Sequence, residues 1–324
     1  MKLVIFSICK DEAETIGQLL DRMPKKIKGI DTIELLVISD GSKDDTVAIA
    51  RAHRAEVIAG VTQKRLAYRF EQATERVLSM GADVAVNIDG DLQFMPEDIP
   101  KLLKPILEEG YDFAAADRFT AVDTGERRKP ENMPTAKYWA NRLGAWIVGQ
   151  LSGEKFYDVT CGFRAYSKKA LLAININSNY TYTQESFQVL AVKRMSIASV
   201  PTEVKYYKGR KSRVVKSFWQ FLFGSALNIL RAFRDYAPLK FFGIIGVLSF
   251  VPGLILGTFS LWHWIDTGSV RPYAIVGFIG IYLITAALLT WTLGLVADML
   301  DRLLNNQEKI LEEVKKGRFG SSES

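Results

Sequence analysis

The stretch Val86–Ile99, VNIDGDLQFMPEDI, places two carboxylates, Asp89 and Asp91, one residue apart where an apolar run ends. The residues before it, ADVAVNID, read as a short buried strand. Behind it, Pro96–Glu109 sets Ile99, Leu102, Leu103, Ile106 and Leu107 on one side of a helix opened by proline. Working outward toward the N-terminus, LVIFSIC reads as a first strand and IELLVIS as a second, with EVIAG a short third. The helices between them are DEAETIGQLLDRM, where Asp11 and Glu14 have capping-box spacing, a helix entered from DGSKDDTVAIARAH, and Lys64–Met80. Toward the C-terminus, FAAAD is a fifth strand. Residues 118–136 form a long polar loop, followed by a helix over Lys137–Leu151 and a strand-like YDVTCGFRAYS. A helix over Thr183–Met195 and an edge strand in IASVPTEVKYY, marked by its proline, complete the region. Strands that are apolar on both sides and alternate with helices predict an α/β fold, a mostly parallel sheet with helices on both faces.

Later in the chain the pattern changes. Phe241–Trp262 and Tyr273–Ala297 contain no Asp, Glu, Lys or Arg. A bilayer core of ~30 Å needs roughly 20 helical residues, so both are long enough to cross one. A central charge would cost on the order of 2.5–3.5 kcal/mol, and neither run carries one. Arg231, Arg234 and Lys240 flank the first run, and Arg302, Lys309, Lys315 and Lys316 follow the second. The connection HWIDTGSVRP is nearly neutral, so the positive-inside rule places the N-terminal domain and both termini in the cytoplasm, in a cell-membrane protein with two spans. Lys208, Arg210, Lys211, Arg213 and Lys216 feed an aromatic stretch, Phe218–Leu230, which suits an interfacial helix on anionic lipid. The expected organisation is 1–207 catalytic, 208–238 basic loop and interfacial helix, 239–298 two transmembrane helices, and 299–324 a cytoplasmic helix and tail. The tail leaves open whether it packs on the catalytic domain or on a partner subunit, and a homo-oligomer is compatible with it.

The 324 residues are 48% hydrophobic and 24% charged, with a net charge of +6 that fits an anionic partner. Two cysteines, Cys9 and Cys161, make neither a disulfide framework nor a zinc site, and two histidines leave little room for histidine chemistry. The start, MKLVIFSICKDE, lacks a signal-peptide cleavage site and reads as strand.

Ligands of open parallel sheets bind beyond the carboxyl ends of the strands. Polar groups stand at four such ends: Asp11 and Glu12; Ser39 and Asp40; Asp89, Asp91 and Gln93; Asp117 and Arg118. Converging carboxylates repel unless a cation lies between them. Oxygen donors suit Mg²⁺ or Mn²⁺, and Mg²⁺ takes one or two carboxylates plus substrate phosphates. Asp89 and Asp91 are therefore expected to hold a divalent ion that in turn holds a diphosphate.

CKDEAETIG, VISDGSKDDT, NIDGDLQFMPEDI, ADRF, DVTCGFRAYS and VKYYKGRKSR stand in the order found in family 2 glycosyltransferases with a GT-A fold. The chain most resembles their polyprenyl-phosphate sugar transferases, the dolichyl-phosphate mannose synthase group, in forms with a C-terminal transmembrane pair. The resemblance implies a nucleotide-sugar site of Asp11, Glu12, Ser39, Asp40, Lys64, Asp89 and Asp91, with Asp89, Asp91 and Gln93 on the metal. It implies acceptor-phosphate contacts from Arg118, Lys137, Asn141, Arg210 and Arg213, with Asp158 and Glu185 near the sugar as catalytic carboxylates beside Asp89, Asp91 and Arg118. Departures from the family pattern are Ser39 for the first Asp of Asp-Asp-Gly-Ser, Ile8 for a proline, and Arg65 where a glycine is common. They leave the nucleotide open.

The expected activity is an inverting transfer of a hexose from a UDP- or GDP-sugar to a polyprenyl phosphate, dolichyl or undecaprenyl, delivered from the bilayer, with no nucleic acid involved. A phosphomonoester, with its second pKa near ~6, is already an anion and needs cations more than a base. A hydroxyl acceptor would need a general base, for which Asp158 or Glu185 is the candidate. The alternatives are a transferase acting on a hydroxyl of a glycolipid or polysaccharide, whose usual Gln-x-x-Arg-Trp motif is absent, and a non-catalytic nucleotide-sugar-binding membrane scaffold.

Overall fold

Along β1 (Lys2–Cys9) the side chains alternate between two buried layers: Leu3 and Ile5 enter one apolar cluster, Val4 and Phe6 the other. A strand buried on both faces reads as a continuous apolar run, which explains the sequence LVIFSIC. The computed structural model describes residues 1–153, 155–176, 182–206, 230, 231, 233, 234 and 237–320.

The remaining strands are β2 (Thr32–Ser39), β3 (Glu56–Ala59), β4 (Val84–Asn87), β5 (Phe113–Asp117), β6 (Arg164–Ser167) and β7 (Ile197–Pro201). Their order is β3-β2-β1-β4-β6-β5-β7. Only β6 runs against its neighbours, β4 and β5, so the sheet is mostly parallel as expected, and β7 is an edge strand. Because β6 is reversed, its first residue, Arg164, lies opposite Asn87 and Ala115 at the carboxyl ends of the parallel strands.

The first-layer cluster packs α1 (Ala13–Asp21) and α4 (Ile99–Glu109), contributing Ile16, Leu19, Leu102 and Leu103. The opposite cluster takes Phe70 and Val77 from α3 (Leu66–Ser79), Ala145 and Val148 from α5 (Thr135–Ser152), Leu171 from α6 (Lys168–Ala173) and Phe187 from α7 (Thr183–Val192). Between β2 and β3 lies α2 (Thr46–Ala52).

Three local expectations need correction. Asp11 and Glu14 do not form a capping box: Glu12 is the N-cap and makes no side-chain cap. The first amides of α1 are instead satisfied from the next loop, Glu12 N–H donating to Thr46 Oγ1 (2.9 Å) and Ala13 N–H to Asp44 Oδ2 (3.0 Å). In YDVTCGFRAYS only Arg164–Ser167 is strand. The six-residue α6, capped by Ser167 Oγ accepting from Ala170 N–H (3.1 Å), was not expected.

The chain divides into two units, Met1–Phe218 with Leu311–Ser324, and Trp219–Ile310. Within the first, the terminal residues pack on the catalytic part: Lys315 Nζ donates to Ile174 O (3.0 Å) and Asn175 Oδ1 (2.6 Å), Lys193 faces Glu312 (3.4 Å), and Phe319 touches the α3–α7 layer. The second holds α8 (Pro238–Thr267) and α9 (Ala274–Phe319) as far as Ile310; both helices are long and apolar enough to cross a membrane, with a mean hydropathy of 2.1 over their most apolar stretch. Gly253 and Gly257 meet Gly280 so closely that a Cβ on Gly280 would sit 2.7 Å from Gly257 N. Small residues four apart allow such helix approach in lipid.

Candidate active site

The Asp89–Gly90–Asp91 turn follows directly on β4 and is fixed from three sides. Thr15 Oγ1 of α1 donates to Gly90 O (2.7 Å). Cys9 Sγ lies beneath, where a Cβ on Gly90 would come within 2.5 Å. Gly162, in the loop before β6, faces the Asp89 carboxylate so closely that a Cβ there would stand 2.7 Å from both oxygens. Asp91 Oδ1 accepts from Gln93 N–H (3.1 Å), and Leu92 between them is held at φ 56°. A non-glycine left-handed residue costs of order 1–3 kcal/mol and clusters at functional sites. Burial, and then the Asp91 charge, push the Asp89 carboxyl well above the usual carboxylate range. A buried carboxyl whose ionised form is opposed by a neighbouring acid fits a divalent cation beside it. No group of three or more His, Cys, Asp or Glu side chains suited to a metal exists among the described residues. The pair therefore fits an ion that completes its shell with substrate oxygens.

At the ends of β1 and β2, Asp11 (φ 53°) accepts from Lys43 N–H through Oδ1 (2.8 Å). Ser39 is buried and turned inward, its hydroxyl donating to Ser42 Oγ (2.9 Å). Asp40 Oδ1 accepts from Lys64 N–H (2.8 Å) and from Arg69 Nε (2.9 Å), a buried ion pair. Lys64 Nζ lies 4.8 Å from the centre of the Tyr68 ring. Arg65, the N-cap of α3, adopts φ 76° and ψ 155°, a conformation that favours glycine.

On the other side, beyond β5, Arg118 and Asp158 form a buried bidentate pair, Nε to Oδ2 (2.6 Å) and Nη2 to Oδ1 (2.8 Å). Arg118 also donates to Thr160 Oγ1 (2.6 Å) and to the Tyr206 hydroxyl (3.0 Å). Burial alone would raise the Asp158 carboxyl, but the Arg118 guanidinium holds it below the usual range. Lys137 Nζ lies 5.2 Å from the centre of the Tyr206 ring, and burial followed by the Arg118 charge holds its ammonium below the ordinary range. Asn141, one helical turn further on, is buried with Nδ2 making no hydrogen bond among the described residues. Glu185 is half-buried in the first turn of α7. Arg210 and Arg213 lie outside the described residues.

Several residues that shape the site carry no sequence expectation. Arg69, Thr160 and Tyr206 hold Asp40, Asp158 and Arg118 in place, and all three stand inside or beside the motifs. Arg164 is fully buried under the turn and donates to Cys161 O (2.7 Å), Val159 O (3.1 Å) and Thr183 O (2.6 Å), so it braces the loop that meets Asp89. An arginine inside an apolar strand signature was the available sign.

Comparison with known proteins gives the family. Residues 4–174 match the model of Glycosyl transferase family 2. The chain is 27% identical to Glycosyltransferase AglJ of Haloferax volcanii, with 94% of this chain and 95% of that protein covered. It is 24% identical to an undecaprenyl-phosphate 4-deoxy-4-formamido-L-arabinose transferase of Sodalis glossinidius, covering 91% and 87%. It is 26% identical, over 53% of this chain and 74% of the relative, to a UDP-N-acetylglucosamine–dolichyl-phosphate N-acetylglucosaminyltransferase of Methanococcus voltae. In fold it is similar to glucosyl-3-phosphoglycerate synthase of Mycobacterium tuberculosis, solved with Mn²⁺, UDP and glucosyl-3-phosphoglycerate (TM-score 0.53, 18% identity, 72% of this chain and 79% of that one). The chain belongs to glycosyl transferase family 2 and is a glycosyltransferase.

Proposed function

We propose that the protein is a membrane-bound inverting transferase that moves a hexose from a UDP- or GDP-sugar to a polyprenyl phosphate at the cytoplasmic face. Two relatives are named for dolichyl or undecaprenyl phosphate, and the fold neighbour was solved with UDP and Mn²⁺. The two apolar helices and their basic flanks support a bilayer-anchored enzyme with its catalytic domain and termini in the cytoplasm.

The observation that carries the acceptor assignment is the Arg118–Asp158 pair. Of the two candidate general bases, Asp158 is fully buried and a bidentate guanidinium holds it ionised and weakly basic. A hydroxyl acceptor would depend on Glu185 alone. A phosphate acceptor already carries its charge and needs positive and donor groups, which Lys137 and Asn141 Nδ2, without a partner among the described residues, supply. Arg118 keeps a fixed positive charge beside the reacting region without itself moving, since its three nitrogens are all engaged. Asp89 and Asp91, with Gln93, would hold Mg²⁺ or Mn²⁺, which supplies charge neutralisation for the departing nucleoside diphosphate. Asp11, Glu12, Ser39, Asp40 and Lys64 form the donor side, and attack on the anomeric carbon from the Lys137 side inverts its configuration. Arg210 and Arg213, in the basic segment after Tyr206 and outside the described residues, are assigned to the same phosphate by their charge.

The test offers the purified chain radiolabelled nucleotide sugars with a polyprenyl phosphate or with the uncharged polyprenol of the same chain length. Label is expected in the lipid phase with the phosphate only, as an acid-labile product. Equal labelling of the polyprenol contradicts the assignment.

A further inference from the structure

Residues 118–136, in sequence only a long polar loop, are organised around one side chain. Phe119–Arg128 folds into a tight hairpin. Ala121 N–H donates to Glu126 O (2.9 Å) and Arg128 N–H to Phe119 O (2.9 Å), with Thr120 paired to Arg127. Gly125, at φ 70°, turns the chain. From this hairpin Arg127 reaches back to the end of β5. Its Nη1 donates to Asp117 Oδ2 (2.9 Å) and to Thr120 Oγ1. Its guanidinium carbon lies 3.1 Å from the centre of the Tyr157 ring, so the cation sits against that ring. An ion pair between two exposed groups contributes little. Here the Asp117 side chain is only 3% exposed, and the ring covers part of an arginine that is otherwise 36% exposed.

The two residues that Arg127 joins are the sequence neighbours of the two that Arg118 joins. Asp117 precedes Arg118, and Tyr157 precedes Asp158. Two arginines thus bridge the same pair of chain segments, Arg118 through the Asp158 carboxylate and Arg127 through Asp117 and Tyr157. We propose, resting on the phosphate-acceptor reading given above, that Arg127 is a positioning residue: by clamping Asp117 to Tyr157 it fixes the spacing at which Arg118 and Asp158 stand. The long polar loop is then a fixed wall of the acceptor side, not a lid that opens over it.

Arginine suits this position where lysine does not. A planar guanidinium donates along its edge and stacks through its face at once, whereas an ammonium is a single point charge. The neighbouring cations of the loop are placed differently. Arg128 faces Glu203 at 3.7 Å with both groups exposed, and Lys129 Nζ donates to Thr135 Oγ1 (3.3 Å). The Tyr157 ring also lies 5.7 Å from the guanidinium carbon of Arg142, the residue after Asn141 on α5, so the clamp touches the helix that carries Lys137 and Asn141. The donor-side groups stand at the ends of β1 and β2, which β4 and β6 separate from β5 in the sheet. Loss of the clamp therefore acts on the acceptor side.

The experiment uses the full chain in vesicles, with a polyprenyl phosphate as acceptor and a panel of UDP- and GDP-sugars as donors. Arg127→Ala is expected to raise KM for the polyprenyl phosphate on the order of 10-fold, within the ~10²-fold that a 1 Å misplacement costs, and to leave KM for the nucleotide sugar unchanged. Arg127→Lys, which keeps the charge and loses the stack, is expected to raise the acceptor KM as well. Tyr157→Ala is expected to match Arg127→Ala, and the double variant to be no worse than either. Arg128→Ala, which removes the same charge one position on, is expected to change neither KM. An unchanged acceptor KM in Arg127→Ala, an equal rise in both KM values, or an additive double variant overturns the proposal. Hydrogen exchange reads the clamp without substrate. In Arg127→Ala the amides of Ala121 and Arg128 are expected to exchange ~10-fold or more faster while those of β1 keep their protection. Unchanged exchange at 121 and 128 overturns the proposal, as does exchange that quickens throughout the chain. A wild type that uses no polyprenyl phosphate sinks the acceptor reading by itself, and the exchange result then still decides whether Arg127 clamps the loop.

Discussion

Arg118 illustrates how much a single buried charge can decide. Its three side-chain nitrogens reach Asp158, Thr160 and Tyr206, and the Asp158 carboxylate has no exposure to water of its own. Arg118→Ala leaves that carboxylate unpaired, which costs about 3–5 kcal/mol when one partner of a buried pair is removed. Thermal unfolding is expected to show this loss. Because the folded pKa of Asp158 is depressed, the pair's contribution is present above the ordinary carboxylate value of ~3.9 and is lost as pH falls through the folded value. In Arg118→Ala burial acts without the guanidinium and raises the Asp158 carboxyl, so the variant recovers stability by protonation as pH falls, and the gap from wild type should be widest at neutral pH, narrow on acidification and close in strong acid; a gap that does not change with pH contradicts it. The cysteines are simpler. Burial pushes Cys9 and Cys161 up to about 12, so neither should react with an alkylating reagent in the folded protein at a pH where a free thiol, at ~8.5, does. Alkylation followed by mass spectrometry reads this directly, and rapid modification of either would show that the layer under the Asp89–Asp91 turn opens. The carboxylates at the strand ends were legible in the sequence because acids gathered just beyond apolar runs have few structural uses. The partners Arg69, Thr160 and Tyr206 were not, because pairing across tens of residues leaves no local mark.

At the scale of elements, the strands were readable where both faces are buried, as in LVIFSIC and FAAAD. The reading failed where a different force shapes the chain. DVTCGF has strand-like composition but forms the loop that Arg164 braces through three backbone carbonyls. The Asp11–Glu14 spacing suggested a local cap, but the cap comes from Asp44 and Thr46 in another loop. The end of α9 was ambiguous in sequence, because an amphipathic tail fits any apolar surface. Its Lys315 answers the carbonyl of Ile174 and the side chain of Asn175. Lys315→Ala leaves those acceptors without this donor, and at roughly 1–3 kcal/mol for an unsatisfied buried group the melting temperature of the full chain is expected to fall. An unchanged melting temperature would mean that the tail contact contributes nothing.

At the scale of the whole molecule, the catalytic unit supplies carboxylates on one side of the candidate site and cationic groups on the other, in a chain that also carries two helices long and apolar enough to cross a membrane. Since no cage of protein ligands exists among the described residues, chelation should abolish activity without unfolding the protein. The most direct measurement follows from this. Purified full-length protein in vesicles containing a polyprenyl phosphate is given a panel of sugar-labelled nucleotide sugars, with Mg²⁺ or Mn²⁺ or with chelator, alongside Asp91→Ala. The expected result is lipid-phase label from at least one donor, dependent on the ion, and reduced ~10²-fold or more in Asp91→Ala, the scale of losing one group that stabilises developing charge. Transfer that survives both chelation and Asp91→Ala, or label that never enters the lipid phase from any donor, contradicts it.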